Sequence, residues 1–124
     1  STLSSSSAAS DVYKRQTFSG PVISLNGFIS GTGARLTSVL TNSATLDFAS
    51  IATTASEDLT ITVTGAAVND EVALGLPAAP AAGLVFNAFV SAANTVTIRA
   101  SNITGTAVNA PSATYAVSVF KVVA

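Results

Sequence analysis

The feature that most constrains this chain is a strict alternation of aliphatic and hydroxylated side chains. Residues 58–64 read Asp-Leu-Thr-Ile-Thr-Val-Thr, so each kind of side chain recurs at every second position. Successive side chains of a β-strand point to opposite faces of a sheet, whereas a helix requires a period of about 3.6 residues. The segment therefore predicts a strand with one buried aliphatic face and one hydroxylated face.

The same two-residue period recurs between turn residues along the chain, and no window has the apolar spacing of an amphipathic helix. The predicted strands are Val22–Ile29, Arg35–Thr41, Ala44–Phe48, Asp58–Thr64, Glu71–Leu76, Leu84–Ser91, Thr95–Ala100 and Thr114–Val123. About eight short strands at this spacing predict an all-β fold, an antiparallel β-sandwich of jelly-roll or immunoglobulin-like topology. The side chains predicted to form its core are Leu59, Ile61, Val63, Phe86, Val96, Ile98 and Val117.

The inventory of side chains excludes several kinds of function. The 124 residues include no His, Cys, Met or Trp. Zinc sites built on Cys or His, thiol chemistry, disulfides and His-containing triads all need residues that the chain lacks. Only 9% of the residues are charged and the net charge is −1, so we expect no nucleic-acid binding. No apolar run approaches the roughly 20 residues of a membrane span, so we also expect no membrane insertion.

Residues 6–16 stand apart from the rest of the chain and read Ser-Ser-Ala-Ala-Ser-Asp-Val-Tyr-Lys-Arg-Gln. Back-translated, the whole segment resembles the transposase adapter used to prepare sequencing libraries. The resemblance implies a metagenomic read-through, and we expect residues 1–16 to be a non-native or disordered extension. Residues 17–124 are then expected to form a single β-sandwich domain.

Few side chains outside that extension offer catalytic chemistry. The carboxylates are those of Asp47, Glu57, Asp58, Asp70 and Glu71. Two carboxylates about 5–9 Å apart suit glycoside hydrolysis, but a sugar cleft usually has aromatic platforms and this chain has no Trp. We interpret the five as charges at turns and strand ends that keep sheet edges soluble. Arg99 is expected to pair with either Asp47 or Asp58.

Three short motifs are similar to ligand or modification sites. Residues 69–71 (Asn-Asp-Glu) offer oxygen ligands but lack the spacing of a calcium loop, and residues 31–33 (Gly-Thr-Gly) are half of a phosphate loop without its Lys. Residues 102–104 (Asn-Ile-Thr) are a glycosylation sequon, which would be idle in a prokaryotic or viral protein. We interpret the first two motifs as turns. The sequence thus predicts no catalytic residue, no metal site and no cofactor.

A characteristic pattern of strands and turns is formed by four segments, residues 44–48, 57–66, 90–99 and 115–121. In this pattern the stretch from Ala44 to Lys121 resembles a small β-domain that is common in phage-encoded and bacterial proteins of structural or unassigned role. The resemblance implies a virion or appendage component, and it implies no active site.

The low charge favours association between copies of the chain, because soluble monomers usually carry charges over a quarter or more of their surface. Stable interfaces between subunits are depleted of charge. The leading hypothesis is a non-enzymatic structural subunit, extracellular or virion-associated, that builds a virion component, fibre, filament or tube. The alternative is a carbohydrate- or surface-adhesion module on such an assembly. A hydrolase is the least favoured function.

Copies are predicted to join through strand edges, with an N- or C-terminal strand completing a neighbour's sheet. Apolar residues near the two ends of the domain, together with Arg99, are the candidates for this contact. They are Val22, Leu25, Phe28, Arg99, Phe120, Val122 and Val123.

Overall fold

The computed structural model describes Pro21 and residues 23–123, and in this part the chain forms seven strands and no helix. The strands are β1 (Phe28–Ile29), β2 (Arg35–Leu46), β3 (Ser56–Thr62), β4 (Glu71–Gly75), β5 (Leu84–Ala92), β6 (Thr95–Asn102) and β7 (Ala113–Val123). They form two antiparallel sheets with the strand orders β1-β2-β7-β4 and β3-β6-β5. The all-β, antiparallel prediction is confirmed. Over the same residues, no helix exists that could cross a membrane.

The number of strands differs from the prediction in the first half of the chain. Residues 35–41 and 44–48 were predicted as two strands, but residues 35–46 form one strand, which ends at Leu46. The polar residues Asn42 and Ser43 stay in register opposite Val117 and Ala116 of β7. Continuous pairing with a long partner strand thus outweighs the local polarity that suggested a break.

The first predicted strand, Val22–Ile29, is also shorter than expected. Only Phe28–Ile29 pairs with β2, and Val22 lies outside the described residues. A turn at residues 25–26 precedes Gly27, whose φ of +89° is left-handed. A Cβ at Gly27 would clash with the carbonyl oxygen of Leu36, so the turn requires glycine there.

Side chains from both sheets share one core. Ile61, Val96 and Ile98 contribute from the sheet β3-β6-β5, and Val117 contributes from β7; each is at most 2% exposed. Val63, just after β3, is buried as well. Leu59 and Phe86 are partly buried and pack against this cluster, so the predicted core is confirmed.

Three aromatic rings fill one end of this core. The Tyr115 ring on β7 lies 5.7 Å, centroid to centroid, from Phe86 on β5, which belongs to the other sheet. Phe48, which follows β2, meets both rings at 5.7 and 5.9 Å in edge-to-face contacts. Such contacts add to the free energy of burial. The segment after β2 was predicted as part of a strand. In the structure its residue Phe48 packs in the core, between the two sheets.

The order of strands leaves β2 and β3 side by side on one flank of the domain. The Asn42 side-chain amide on β2 donates to the Thr62 carbonyl at the end of β3, over 2.6 Å. On the opposite flank β4 lies beside β5. In the first sheet β7 is an inner strand, paired with β2 along one side and with β4 along residues 116–120.

Candidate assembly surface

Apolar side chains gather on the outer face of the first sheet, at the end where β1, β2 and β7 meet. Phe28, Leu36 and Val122 are direct cross-strand neighbours, and Val39 is opposite Phe120 in the next row. Residues two apart on β7 share a face, so both rows lie on the same side of the sheet. We call these five residues the outer apolar patch.

The patch is open to solvent. Phe28 is 66% exposed, Val39 46% and Val122 45%, while Leu36 and Phe120 are partly buried beneath them. A contiguous exposed apolar surface is typical of a contact with another molecule, whereas single exposed apolar residues need no such explanation. The patch is therefore the candidate functional surface of the domain.

Further apolar side chains border this patch. Leu25, in the turn before β1, is 94% exposed. On the opposite face of the sheet, Ile29 and Val123 flank Arg35 on either side in one cross-strand row and are about half exposed. Five of the residues singled out from the sequence thus lie at one end of the molecule. They are Leu25, Phe28, Phe120, Val122 and Val123.

The shape of this end depends on local features of the chain. Residues 30–34 turn between β1 and β2, and the Gly33 amide donates to the Ser30 carbonyl over 3.1 Å. Residues 31–33 thus form the turn that was predicted. A bulge between Leu36 and Ser38 then shifts the register of β2 by one residue. The shift turns Leu36 to the outer face, beside Val122.

An ion pair lies at the same end of the molecule, on the inner side of the sheet. The Lys121 ammonium donates to the Asp70 carboxylate over 2.6 Å, and the Ala67 amide donates to the same oxygen over 2.9 Å. The Lys121 bond, followed by the backbone bond, holds the pKa of Asp70 below its ordinary value. As predicted, residues 69 and 70 belong to a turn that leads into β4 at Glu71, and Asn69 takes a φ of +78° there.

Arg99 lies away from the patch, on the outer face of the second sheet. Its guanidinium donates to both carboxylate oxygens of Asp58, at 2.7 and 2.8 Å, and its carbon lies 5.1 Å from the centre of the Phe89 ring. This pairing lowers the pKa of Asp58 and raises the pKa of Arg99. Of the two partners predicted for Arg99, the structure selects Asp58, because the two residues are directly opposite in β3 and β6.

The carboxylates are not gathered into one site. Asp58 and Asp70 bind cationic side chains, and Glu57 points to the opposite face of β3 from Asp58. One Glu57 carboxylate oxygen is buried without a hydrogen-bond partner among the described residues. Within residues 21 and 23–123, no three Asp or Glu side chains are close enough to share a metal ion. Burial raises the pKa of the Tyr115 hydroxyl, which lies in the core.

Asn102, the asparagine of the sequon, has a structural role that was not predicted from the sequence. Asn102 is 2% exposed, and its side-chain amide donates to the carbonyls of Ile51 and Thr106 at 2.9 and 2.8 Å. Its oxygen accepts from the Thr104 amide and hydroxyl. The side chain thus ties the loop after β6 to the loop after β2. The folded chain leaves no room for a glycan on this nitrogen.

Comparison with known proteins assigns no relationship: no family model matches the chain, and no curated protein or solved structure is significantly similar to it.

Proposed function

We propose that the protein is a non-enzymatic structural subunit whose copies associate through the outer apolar patch. The observation that carries this proposal is the patch itself, in which Phe28 and Val122 lie on either side of Leu36 and are open to solvent. Burial of apolar surface contributes about 25 cal/mol per Å². A second copy seated on the patch would remove these five uncharged side chains from water, and the exposed Glu71, opposite Phe120 on β4, would lie at the border of the contact.

We propose further that the two sheets form an antiparallel sandwich of jelly-roll type. Strand pairs are nested in sequence: β2 pairs with β7, β3 pairs with β6, and β4 lies beside β5. An immunoglobulin-like sandwich pairs its second strand with its fifth instead. A jelly roll can be described as one long hairpin wound into two sheets, which pairs its strands in this nested order. The observed pairing therefore favours the jelly roll.

Jelly rolls occur both in capsids and in lectins, and a fold alone does not decide between such functions. The patch favours assembly, since its side chains are apolar, whereas a ligand site usually has a few polar groups that converge on the ligand. A virion component or an extracellular fibre, filament or tube is the corresponding biological setting. An adhesion module remains the alternative if the domain proves monomeric.

The test compares two substitutions at exposed valines. Val122→Asp places a charge in the patch, whereas Val85→Asp makes the same change on β5 of the other sheet, where the valine is 51% exposed. We expect light scattering and electron microscopy to show assemblies for the unaltered chain and for Val85→Asp, and none for Val122→Asp. If the unaltered chain stays monomeric at high concentration and binds glycans, assembly would be refuted and adhesion supported.

A further inference from the structure

The outer apolar patch continues into the rest of the same sheet face. Beyond Val39 and Phe120, further rows of cross-strand neighbours lie on this face of β2, β7 and β4. All of their residues are small and uncharged, and all except Ser118 are exposed. The rows are Thr41, Ser118 and Ala73, then Ser43, Ala116 and Gly75, and finally Thr45 and Thr114. With the two rows of the patch they form what we call the five-row face, apolar and bulky at one end and small at the other.

The patch alone is small for a stable contact between proteins. Strands lie about 4.8 Å apart and residues on one face of a strand recur about every 6.8 Å, so two rows across three strands cover roughly 200 Å². A standard interface buries about 800 Å² of accessible surface on each partner. A stable contact that includes the patch must therefore extend onto neighbouring surface, and the five-row face more than doubles its area.

The distribution of charge favours extension along this face. Among its described residues the one charged side chain is that of Glu71, next to Phe120 on the edge strand β4. The outer face of the other sheet, in contrast, has Arg99 on its middle strand, paired with Asp58. A partner seated on that sheet would have to desolvate both charges, and burial of charges is costly. The five-row face therefore opposes a close contact less.

We infer that two copies pack face to face through the five-row face, about a two-fold axis that runs across the strands at the row of Ser118. The inference rests on the proposed function and specifies its contact. A two-fold contact uses the same surface on both copies, so that surface must be complementary to itself. Rotation about this axis places the two apolar rows of each copy over the two outermost small rows of the other. Large side chains then fill the space that small ones leave, as they do in a packed interior.

The alternative two-fold axis, parallel to β7, gives a poorer fit. It stacks the large rows of the two copies on each other, which holds the small rows apart. It also places β4 over β2, so that Glu71 of each copy faces Val39 of the other, and a carboxylate packed against an apolar group is destabilising. With the axis across the strands, Glu71 faces Gly75, which has no side chain, at the border of the contact.

A two-fold contact closes at two copies, so the face-to-face dimer is the unit from which a larger assembly would be built. Two substitutions in different halves of the face test how far the contact extends. Val122→Asp charges the apolar half, and Ala116→Lys places a long charged side chain in the small half, at an exposed position of β7. Two controls accompany them: Ala116→Ser, which keeps that side chain small, and Thr60→Lys, at an exposed position of β3 in the other sheet.

Analytical ultracentrifugation of dilute full-length protein should show dimers for the unaltered chain and for both controls. Val122→Asp and Ala116→Lys should each weaken dimerisation by roughly tenfold or more, because each buries a charge without a partner. If only Val122→Asp weakens it, the contact is confined to the patch, so the inference is wrong and the proposed function stands. If neither does, the patch is not the contact and the proposed function fails as well.

The position of the axis is tested by cross-linking. The chain has no cysteine, so a single introduced thiol reports only contacts between copies. With the axis across the strands, the two copies of residue 118 face each other across sheets about 10 Å apart, whereas the two copies of residue 116 are about 17 Å apart. With the axis along β7, both residues would face their own copies.

A bifunctional maleimide short enough to bridge only facing residues should therefore cross-link Ser118→Cys much faster than Ala116→Cys. Thr60→Cys, on the other sheet, gives the rate of random collision. Equal rapid cross-linking of Ser118→Cys and Ala116→Cys would place the axis along β7 and overturn the inference. Cross-linking of Ser118→Cys at the rate of Thr60→Cys would overturn it too, because the two faces would then not be in contact.

Discussion

Replacement of Ile61 by alanine tests whether the alternating segment in β3 was interpreted correctly. Ile61 is 2% exposed and is opposite Val96, which is fully buried in the middle strand of its sheet. The substitution removes three carbon groups, which corresponds to about 2.4 kcal/mol at about 0.8 kcal/mol for each. The cavity left behind brings the expected loss of unfolding free energy to about 2–5 kcal/mol. Because β3 is an edge strand that can partly collapse, we expect about 3 kcal/mol.

Urea denaturation at a protein concentration below that of assembly measures this loss. With an m-value of about 1.5 kcal/mol per molar, the midpoint should fall by about 2 M while m stays unchanged. The matched control is Thr62→Ala, the exposed neighbour on the opposite face. Asn42 bonds to the main-chain carbonyl of Thr62, which the substitution keeps, so the control should lose under about 1 kcal/mol. Equal large losses at both positions would show that β3 is covered on both faces and would refute the reasoning.

Other perturbations test the remaining features. The pKa values of Asp58 and Asp70 are lowered, so their ion pairs stabilise the fold fully above pH 3.8, the ordinary pKa of these carboxyl groups. This stability is lost as the pH falls through the lowered pKa values. The melting temperature measured against pH should therefore decline only on the acid side. Asn102→Ala should cost about 1–3 kcal/mol in urea denaturation, since buried carbonyls lose their donors, and Asn102→Asp should not restore them. Glu57→Leu should raise the melting temperature, because a buried oxygen without a partner is removed; a fall would show that this oxygen is hydrated. Deletion of residues 1–16 should change neither melting temperature nor assembly, and a clear drop in either would mark the segment as native.

The fold class could be predicted from sequence because side-chain alternation is a local signal. The period of two in residues 58–64 reports that one face is buried, and the structure places Ile61 and Val63 in the core. The strands Leu84–Ser91 and Thr95–Ala100 were predicted for the same reason, and in the structure β5 and β6 pair as a hairpin with a short turn between them. Strand ends were less accurate: β3 begins at Ser56 and ends at Thr62, because its limits follow the length of β6 rather than its own composition.

The candidate surface was predictable only in part. Exposed apolar residues near the domain ends were expected to matter, and Phe28 and Val122 do lie together. An N- or C-terminal strand was also expected to complete a neighbour's sheet. Within the single chain, β7 pairs with β2 and β4 in its own sheet. Phe120 is partly buried there, and Arg99 belongs to a different surface.

What the sequence determined by itself is the alternation of apolar and hydroxylated side chains, the turns between strands and the shortage of charge. These are properties of neighbouring residues, and they follow from the geometry of an extended chain. What the tertiary structure decided is which strands become neighbours. β2 and β7 lie far apart along the chain, yet their pairing makes one strand of the segment 35–46 and brings together the side chains of the outer apolar patch. Such pairing depends on how two whole faces fit over a common core, and no local pattern encodes it.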